Sequence, residues 1–398
     1  MKAMRLLVFD EAINWASAQR LSVNLLPALS QFCEILVWVV PNYLRPEFAK
    51  RINDGSSLLL EGHNWPRWSL RCLPQRLLRK TNPSLCGTMG QAAARSLRDA
   101  RIRALAKKHR CTHFLTSRIF DQPLPDLELP LFGFVYDVPA VGEVRLNITR
   151  WLAKAQGIFG ISEFIRQELQ RVQPSQTWKI HAVPLAAPEL KNWNPKPPAT
   201  RQFDFYYPAA AMPYKNHLVL FRACVALAQV GRRFRLVLSG AGIEGFRVNG
   251  GFTDPKMEEA RCFLHDHATL LDDRVQVLGE VSLMEVDRLY EEARSVVLSS
   301  AYEGFGFPLA EAIQRGIPVI CSDIPAFREQ LATLGGPANI KMVPANNAVS
   351  LASAMEDFLK CPPCSVEPET AAGICRWTWQ DAAQRCFELL CKSTTNAS

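Results

Sequence analysis

Two short apolar runs frame a glycine turn in the stretch Ser295-Val-Val-Leu-Ser-Ser-Ala-Tyr-Glu-Gly-Phe-Gly-Phe-Pro-Leu-Ala-Glu-Ala-Ile-Gln-Arg-Gly-Ile-Pro-Val-Ile-Cys321. The runs, 296–298 and 318–321, are too brief for helices and are bounded by turn residues, which is typical of buried parallel strands. Between them, residues 309–314 have helix-forming composition, and Gly316 is placed as the C-terminal stop of that helix. The stretch therefore predicts a strand, a glycine turn, a helix and a second strand.

The residues that could bind a ligand lie in and beside the glycine turn. Gly304 and Gly306 leave the backbone without side chains just where the helix begins, so its amides and positive dipole end can hold an anion. Glu303 lies before the helix and Glu311 lies about two turns further on, and both can face the carboxyl end of the sheet, where open α/β sheets bind ligands. Carboxylates accept hydrogen bonds from sugar hydroxyls, while amides suit phosphate oxygens. One ligand with both features is a nucleotide sugar.

At these residues the sequence resembles the retaining family 4 glycosyltransferases of GT-B fold, whose signature is two glutamates around Gly-Phe-Gly-x-Pro. The match comprises Glu303, Gly304, Phe305, Gly306, Phe307, Pro308 and Glu311, and it continues through residues 316–320. The resemblance implies that Glu303 contacts the donor sugar, that Glu311 contacts the ribose and that the intervening residues line the donor site. A glutamate pair at this spacing is otherwise most often a solvated helix face, which would leave the glycines and the proline unexplained.

Length and composition indicate an ordinary globular chain. With 398 residues, 48% hydrophobic and 21% charged, the chain is long enough for two domains with their own cores. The apolar run at the N-terminus is too short for a signal peptide, and no stretch reaches the roughly twenty apolar residues of a membrane helix. We therefore expect a cytoplasmic protein whose cysteines are reduced, with a peripheral position at the inner face of the membrane as the alternative.

Alternating strand and helix patterns predict an α/β fold with parallel sheets, interrupted by a proline-rich stretch at residues 183–198. From the resemblance we expect a GT-B protein with two Rossmann-like domains facing one interdomain cleft. The expected division is an acceptor-binding domain at 1–187, a linker at 188–202, a donor-binding domain at 203–375, and a helix with a tail at 376–398 that crosses back to the first domain.

Lys215 precedes a predicted helix at about residues 217–230, where its charge and the nearby amides favour phosphate. The resembled family has its diphosphate-binding lysine at this point, and many members have an arginine where this chain has Ala210. Gly240 and Gly242 end another predicted strand. Glycines at such a place are often only a tight turn, but in the resembled family this loop lies near the nucleotide.

Asp137 matches the aspartate of a His-Asp pair that commonly ends a strand of the first domain in the resembled family, at the cleft facing the donor sugar. Tyr136 stands in place of the histidine. A tyrosine with its ordinary pKa near 10 does not titrate like an imidazole at neutral pH. The substitution therefore removes the support for a general base at position 136.

The segment from residue 66 to residue 110 carries twelve lysines and arginines against one aspartate. Such a run is often a solvated helix face. Because tryptophans and leucines are interleaved with the charges, a second interpretation is contact with an anionic membrane or a lipid-diphosphate acceptor, through Arg71, Arg76, Arg79 and Lys80. Nucleic acid ranks last, since no nucleic-acid-binding motif accompanies the charge.

The resemblance implies transfer of a hexose from a nucleoside-diphosphate sugar to an acceptor hydroxyl, with retention at the anomeric carbon, in cell-surface polysaccharide or glycolipid synthesis. GDP-mannose or a UDP-hexose is the expected co-substrate, and a saccharide or lipid-linked molecule is the expected acceptor. We assign Lys215, Glu303 and Asp137 to catalysis. No metal is expected, because the chain has no Asp-x-Asp to bridge a metal and a diphosphate. The alternatives are a noncatalytic nucleotide-sugar-binding scaffold and a GT-B epimerase or phosphorylase.

Overall fold

The computed structural model describes residues 4–10, 17–50, 57–63, 83–119, 124–138, 143–188, 200–248, 251–335, 339–363, 365 and 376–395. The chain divides into two compact units. The first comprises residues 1–185 together with residues 379–398, and the second comprises residues 186–378.

The first unit is built on a seven-stranded parallel sheet. Its strands are β1 Arg5–Phe9, β2 Ile35–Pro41, β3 Leu58–His63, β4 His113–Thr116, β5 Leu131–Val135, β6 Gly157–Gly160 and β7 Ile180–Ala182. They lie in the order β3-β2-β1-β4-β5-β6-β7. The helices that alternate with them are α1 Ser17–Ser30, α2 Arg45–Ala49, α3 Pro83–Lys108, α4 Glu143–Lys154 and α5 Glu163–Val172.

The second unit has a six-stranded parallel sheet in the order β10-β9-β8-β11-β12-β13. Its strands are β8 Phe203–Pro208, β9 Leu236–Ser239, β10 Val275–Val277, β11 Ala293–Leu298, β12 Val319–Asp323 and β13 Ile340–Pro344. Its helices are α6 His217–Gln229, α7 Pro255–Asp266, α8 Ala268–Leu271, α9 Leu283–Glu292, α10 Phe307–Gln314, α11 Pro325–Leu334 and α12 Ala348–Lys360.

The core of the second unit covers both faces of its sheet. Successive residues of β11 alternate between two apolar clusters, with Val297 in one and Val296 and Leu298 in the other. Side chains of a strand point alternately to the two faces, so each face carries its own cluster. This double burial explains why the strands read as unbroken apolar runs rather than as alternating ones.

The last helix, α13 Trp379–Thr395, belongs to the first unit although it follows the second in sequence. It lies against α1, and the Phe387 ring stacks on Phe32 with 5.5 Å between ring centroids. Trp379, at the start of this helix, is buried. The prediction of two Rossmann-like units with a final helix that returns to the first is confirmed.

Strand order places a switch point in each sheet. In the second sheet β8 is hydrogen-bonded to β9 on one side and to β11 on the other. The chain therefore leaves β8 and β11 in opposite directions across the sheet, which opens a crevice at their carboxyl ends. In the first sheet β1 lies between β2 and β4 in the same way.

The predicted strand, turn, helix and strand appear as β11, α10 and β12. Pro308 lies in the first turn of α10, where its missing amide hydrogen costs no helical bond. Gly316 follows the helix with a φ of 66°, in the left-handed region where glycine is strongly favoured at a helix end.

Candidate active site

Lys215 and Glu303 meet at the switch point of the second sheet. Lys215 lies in the loop that follows β8, and Glu303 lies in the loop that follows β11. The lysine Nζ is 2.6 Å from the glutamate Oε1, and the two side chains are only 13% and 9% exposed. Ser300 donates a second hydrogen bond of 2.7 Å to the same carboxylate oxygen. The structure therefore brings together two of the three residues that the sequence assigned to catalysis, as a paired and largely buried set of charges.

The loop that carries Lys215 is tied to the ends of both neighbouring strands. Residues 213–215 form one 3-10 turn, and Asn216 takes a left-handed conformation before α6 begins. The Tyr207 phenol, at the end of β8, donates to the Lys215 carbonyl oxygen, and the amide of Ala301 donates to the Tyr214 carbonyl oxygen at 2.8 Å. These contacts fix the backbone from which the lysine side chain extends.

The glycine turn requires a glycine at position 306. Its φ is 84°, and a Cβ built there would lie 2.4 Å from Cε1 of Phe327. Gln330 of α11 clamps the turn, because its Nε2 donates to the carbonyl oxygens of Phe305 at 2.9 Å and Gly306 at 3.3 Å. The positive end of the α10 dipole begins directly after this turn.

The aromatic residues of the signature lie in the protein interior. Phe305 and Phe307 are buried, and their rings pack edge to face with centroids 5.1 Å apart. A ligand contact at these two positions would therefore come from the backbone, while Pro308 remains partly exposed. Their side chains stabilise the turn.

Glu311 lies on α10, and its side chain is buried. The hydroxyl of Tyr290 donates to its Oε2 at 2.9 Å. Arg315, the residue directly after α10, forms an ion pair with Asp287 and donates to the Glu311 carbonyl oxygen at 3.1 Å. None of these three supporting residues was identified from the sequence.

The two glycines after β9 are explained by different local constraints. A Cβ on Gly240 would lie 2.3 Å from the carbonyl oxygen of Ala209, so the close approach of the β8 and β9 loops requires glycine there. Gly242 has a φ of 79° and is less crowded, with Ala211 Cβ as its nearest neighbour at 3.4 Å. The amide of Ala211 donates to the Ala241 carbonyl oxygen at 2.9 Å and links the two loops.

Asp137 and Tyr136 follow β5 in the first unit. Tyr136 is buried, and its hydroxyl has no hydrogen-bond partner in the part of the chain that the structure describes. Burial raises the pKa of this phenol well above its ordinary value, and the nearby carboxylate of Asp10 raises it further. Tyr136 is therefore a neutral phenol throughout the physiological pH range, and Asp137 beside it is half-buried.

The basic residues proposed for an acceptor or membrane side, Arg71, Arg76, Arg79 and Lys80, lie outside the described residues. In the described part of the same segment, α3 exposes Arg101 and Arg103 on its polar face. Arg98 is instead buried and pairs with Asp99 at 2.9 Å. This portion of the segment is a helix that exposes several charges and turns one ion pair inward.

The described residues contain no group of three or more histidine, cysteine, aspartate or glutamate side chains that could hold a metal ion. No helix among them combines the length and the apolar character needed to cross a membrane.

Comparison with known protein families matches residues 191–372 to the family "Glycosyl transferases group 1". Three curated relatives are mannosyltransferases. The chain is 28% identical over 245 residues to the O-antigen chain mannosyltransferase B of Escherichia coli, covering 58% of this chain and 59% of that protein. It is 49% identical over 61 residues to the O-antigen chain mannosyltransferase RfbU of Salmonella typhimurium, covering 15% of this chain and 17% of that one. It is 30% identical over 172 residues to the serotype-specific mannosyltransferase WbdA of Escherichia coli, covering 43% of this chain and 19% of that one. The matched regions thus span about three fifths of the first relative and under a fifth of the other two.

Two solved structures resemble the chain over its whole length. A glycosyltransferase from Rickettsia africae superimposes with a TM-score of 0.67 at 15% identity and full coverage of both chains. Anabaena Alr3699/HepE, solved with UDP and glucose, gives a TM-score of 0.62 at 13% identity, covering 99% of this chain and 98% of that one. At these identities the likeness shows the fold alone, and it confirms the prediction of a GT-B fold.

Proposed function

We propose that this chain, whose residues 191–372 match the family "Glycosyl transferases group 1", transfers a hexose from a nucleoside-diphosphate sugar to an acceptor hydroxyl with retention of anomeric configuration. The observation that carries the proposal is the buried pair of Lys215 and Glu303 at the switch point between β8 and β11. Open α/β sheets bind ligands at such points. The mannosyltransferases among the relatives make mannose the first sugar to test, with GDP-mannose before the UDP-hexoses.

Lys215 has a role that follows from where charge develops. When the bond between the anomeric carbon and the diphosphate oxygen breaks, its electron pair stays on that oxygen. A preorganised positive group beside the oxygen lowers the barrier more than a mobile one in water would. The ties from Tyr207 and Ala301 supply this preorganisation, since they hold the backbone on both sides of the lysine.

Glu303 completes the donor site in this proposal. Its carboxylate holds the lysine Nζ at 2.6 Å and offers further acceptor capacity to hydroxyls of the donor sugar. The acceptor oxygen then forms its bond to the anomeric carbon on the face that the diphosphate leaves. The leaving phosphate oxygen takes the acceptor proton, so the step needs no separate base at position 136.

Glu311 binds the ribose hydroxyls of the donor, and the N-terminal end of α10 faces the diphosphate. Lys215 and the positive end of this helix dipole can together stabilise the negative charge of the leaving diphosphate. We therefore propose that turnover requires no divalent metal.

The acceptor is a saccharide or a lipid-linked saccharide, and Asp137 keeps the catalytic role that the resemblance implies. The two O-antigen mannosyltransferases among the relatives favour a step in cell-surface polysaccharide synthesis. Such an acceptor would place the enzyme at a membrane surface, with the basic segment around Arg71 and Lys80 as the contacting region.

The test begins with a thermal-shift screen of GDP-mannose and UDP-hexoses. A ligand present at 100 times its dissociation constant, and bound only by the folded protein, stabilises it by about 2.7 kcal/mol. The stabilising donor is then incubated with and without mannose-terminated acceptors, and the release of nucleoside diphosphate is measured. We expect release that depends on acceptor. Donor binding without release would favour a noncatalytic scaffold, and acceptor-independent conversion of the donor would favour an epimerase.

A further inference from the structure

A set of connected polar groups, Tyr290, Arg315 and Asp287, supports Glu311. Its central member is Tyr290 of α9, which is fully buried. The Tyr290 hydroxyl donates to Oε2 of Glu311 at 2.9 Å, and the two residues lie on different helices, 21 positions apart in sequence. Glu311 itself is 6% exposed, so its carboxylate has little water to replace this donor.

The Tyr290 ring is held from two sides. The ring of Tyr206 packs against it edge-on, with centroids 5.1 Å apart and planes 89° apart. The guanidinium carbon of Arg315 lies 4.5 Å from the Tyr290 ring centroid. Arg315 is in turn fixed by its ion pair with Asp287 and by its bond to the Glu311 backbone. The phenol therefore cannot swing away from Glu311 without breaking several other contacts.

Tyr290 also keeps its proton. Burial raises the pKa of this phenol well above its ordinary value, and the neighbouring charge of Glu311 raises it further. The tyrosine is therefore a permanent donor toward the carboxylate. Hydrogen bonds to a charged acceptor are shorter and stronger than those between neutral groups, so this contact can fix the plane of the carboxylate.

We propose that Tyr290 is a positioning residue that holds the Glu311 carboxylate in the orientation needed to receive the ribose hydroxyls of the donor. This inference rests on the proposed function, in which Glu311 binds the ribose. A glutamate on a helix has several side-chain torsions, and each one that must be ordered on binding reduces affinity. Tyr290 removes that cost before the donor arrives, with Arg315 and Asp287 as its support.

The chain offers a matched control in Tyr206. This residue is also fully buried, and its ring touches that of Tyr290. Its hydroxyl, however, lies 2.6 Å from Ser239 Oγ rather than against Glu311. Tyr206→Phe therefore removes an equally buried hydroxyl from the same core and leaves the carboxylate contact in place.

The experiment measures dissociation constants for GDP and UDP, each beside its 2′,3′-dideoxy counterpart, by titration calorimetry. The ratio of the dideoxy constant to the ribose constant reports how strongly the protein uses the ribose hydroxyls. We expect Glu311→Gln to lower this ratio about tenfold and Tyr290→Phe to lower it about 3- to 10-fold, the effect of one ordinary hydrogen bond. Tyr206→Phe should keep the wild-type ratio, because a purely structural loss weakens both ligands equally.

The outcomes distinguish the role of Tyr290 from the role of Glu311 in binding the ribose. A folded Tyr290→Phe variant with the wild-type ratio, beside a Glu311→Gln variant with a lowered one, would overturn the role of Tyr290 and leave the proposed function intact. Failure of GDP and UDP to bind the wild-type protein, or an unchanged ratio in Glu311→Gln, would overturn the ribose role and this inference with it. If Tyr290→Phe does not fold, the test uses Asp287→Asn. This substitution weakens the ion pair that holds Arg315, and the Asp287 side chain is itself about half exposed. Asp287→Asn should lower the ratio in the same direction by a smaller factor, and an unchanged ratio would overturn the inference.

Discussion

Removal of the Lys215 charge should lower both the stability and the turnover of the protein. A second substitution, at Glu303, should restore the stability but not the turnover. Lys215→Met keeps the aliphatic stem and deletes the ammonium group. Glu303 is then left as a largely buried carboxylate whose ion-pair partner, at 2.6 Å, is gone. Breaking a buried pair from one side typically costs about 3–5 kcal/mol. Ser300 still donates to this carboxylate at 2.7 Å, so we expect about 3 kcal/mol.

For a unit of this size, each kcal/mol lowers the melting temperature by about 2–4 °C, so Lys215→Met should melt about 6–12 °C below wild type. The double variant Lys215→Met with Glu303→Gln has no buried charge at this place, and most of the loss should return. Turnover should not return. Loss of one group that stabilises developing charge costs about 10²–10³ in rate, and the double variant lacks that group as well.

The assay is thermal unfolding of the four proteins in the cycle, followed by nucleoside diphosphate release at saturating donor. An unchanged melting temperature in Lys215→Met would refute the claim that the pair is buried and coupled. A double variant that regains wild-type turnover would refute the catalytic role of Lys215, whatever its stability.

Four further predictions follow from single features. The raised pKa of Tyr136 keeps its phenol neutral, so the pH profile of kcat/KM between pH 6 and 9 should have the same shape in wild type and Tyr136→Phe; an ionisation that disappears in the variant would contradict this. Burial lowers the pKa of His217 from 6.5 to about 3, so its contribution to stability is present above pH 6.5 and is lost as the pH falls toward 3. The stability of wild type relative to His217→Phe, measured by urea unfolding, should therefore fall by about 1.4 kcal/mol per pH unit below 6.5, and a constant difference would contradict the assignment. Gly306→Ala should destabilise by about 1–3 kcal/mol more than Gly231→Ala. Both glycines have positive φ, but only a Cβ at position 306 would clash with Phe327, since nothing lies within 4 Å of a Cβ at position 231. Equal melting temperatures of the two variants would refute this. Finally, dialysis against EDTA should leave turnover unchanged, and loss of activity with recovery on added divalent metal would argue for a metal-dependent site.

The local elements around the glycine turn were predictable from sequence because their signals are local. Gly306 and Gly316 do take the left-handed conformations that a turn and a helix end require. The sequence also identified Glu303 and Glu311 as neighbours of that turn. It did not identify Ser300 or Tyr207, although serines between a strand and a glutamate are candidates for its hydrogen-bond donors.

The first unit shows the limit of motif matching more clearly. The resemblance to a known family identified Tyr136 as a departure from a His-Asp pair. Its hydroxyl is buried without a hydrogen-bond partner among the described residues, near the Asp10 carboxylate. This environment depends on strands β1 and β5, which precede the two residues and are separated by β4 in the sheet. Side-chain environment of this kind has no counterpart in a local sequence pattern.

By itself the sequence determined the α/β class, the division into two parallel-sheet units, and the turn with its two glutamates. The class and the turn follow from apolar runs, helix ends and glycine positions, which act over a few residues. The division follows from the chain length and the proline-rich stretch. Only the tertiary structure decided that β8 lies beside β11, which brings Lys215 within 2.6 Å of Glu303 across 88 positions of sequence. Only it placed Tyr290 against Glu311. Strand order and helix packing depend on how distant apolar faces are buried together, so contacts of this kind are set by the whole core and not by any one segment.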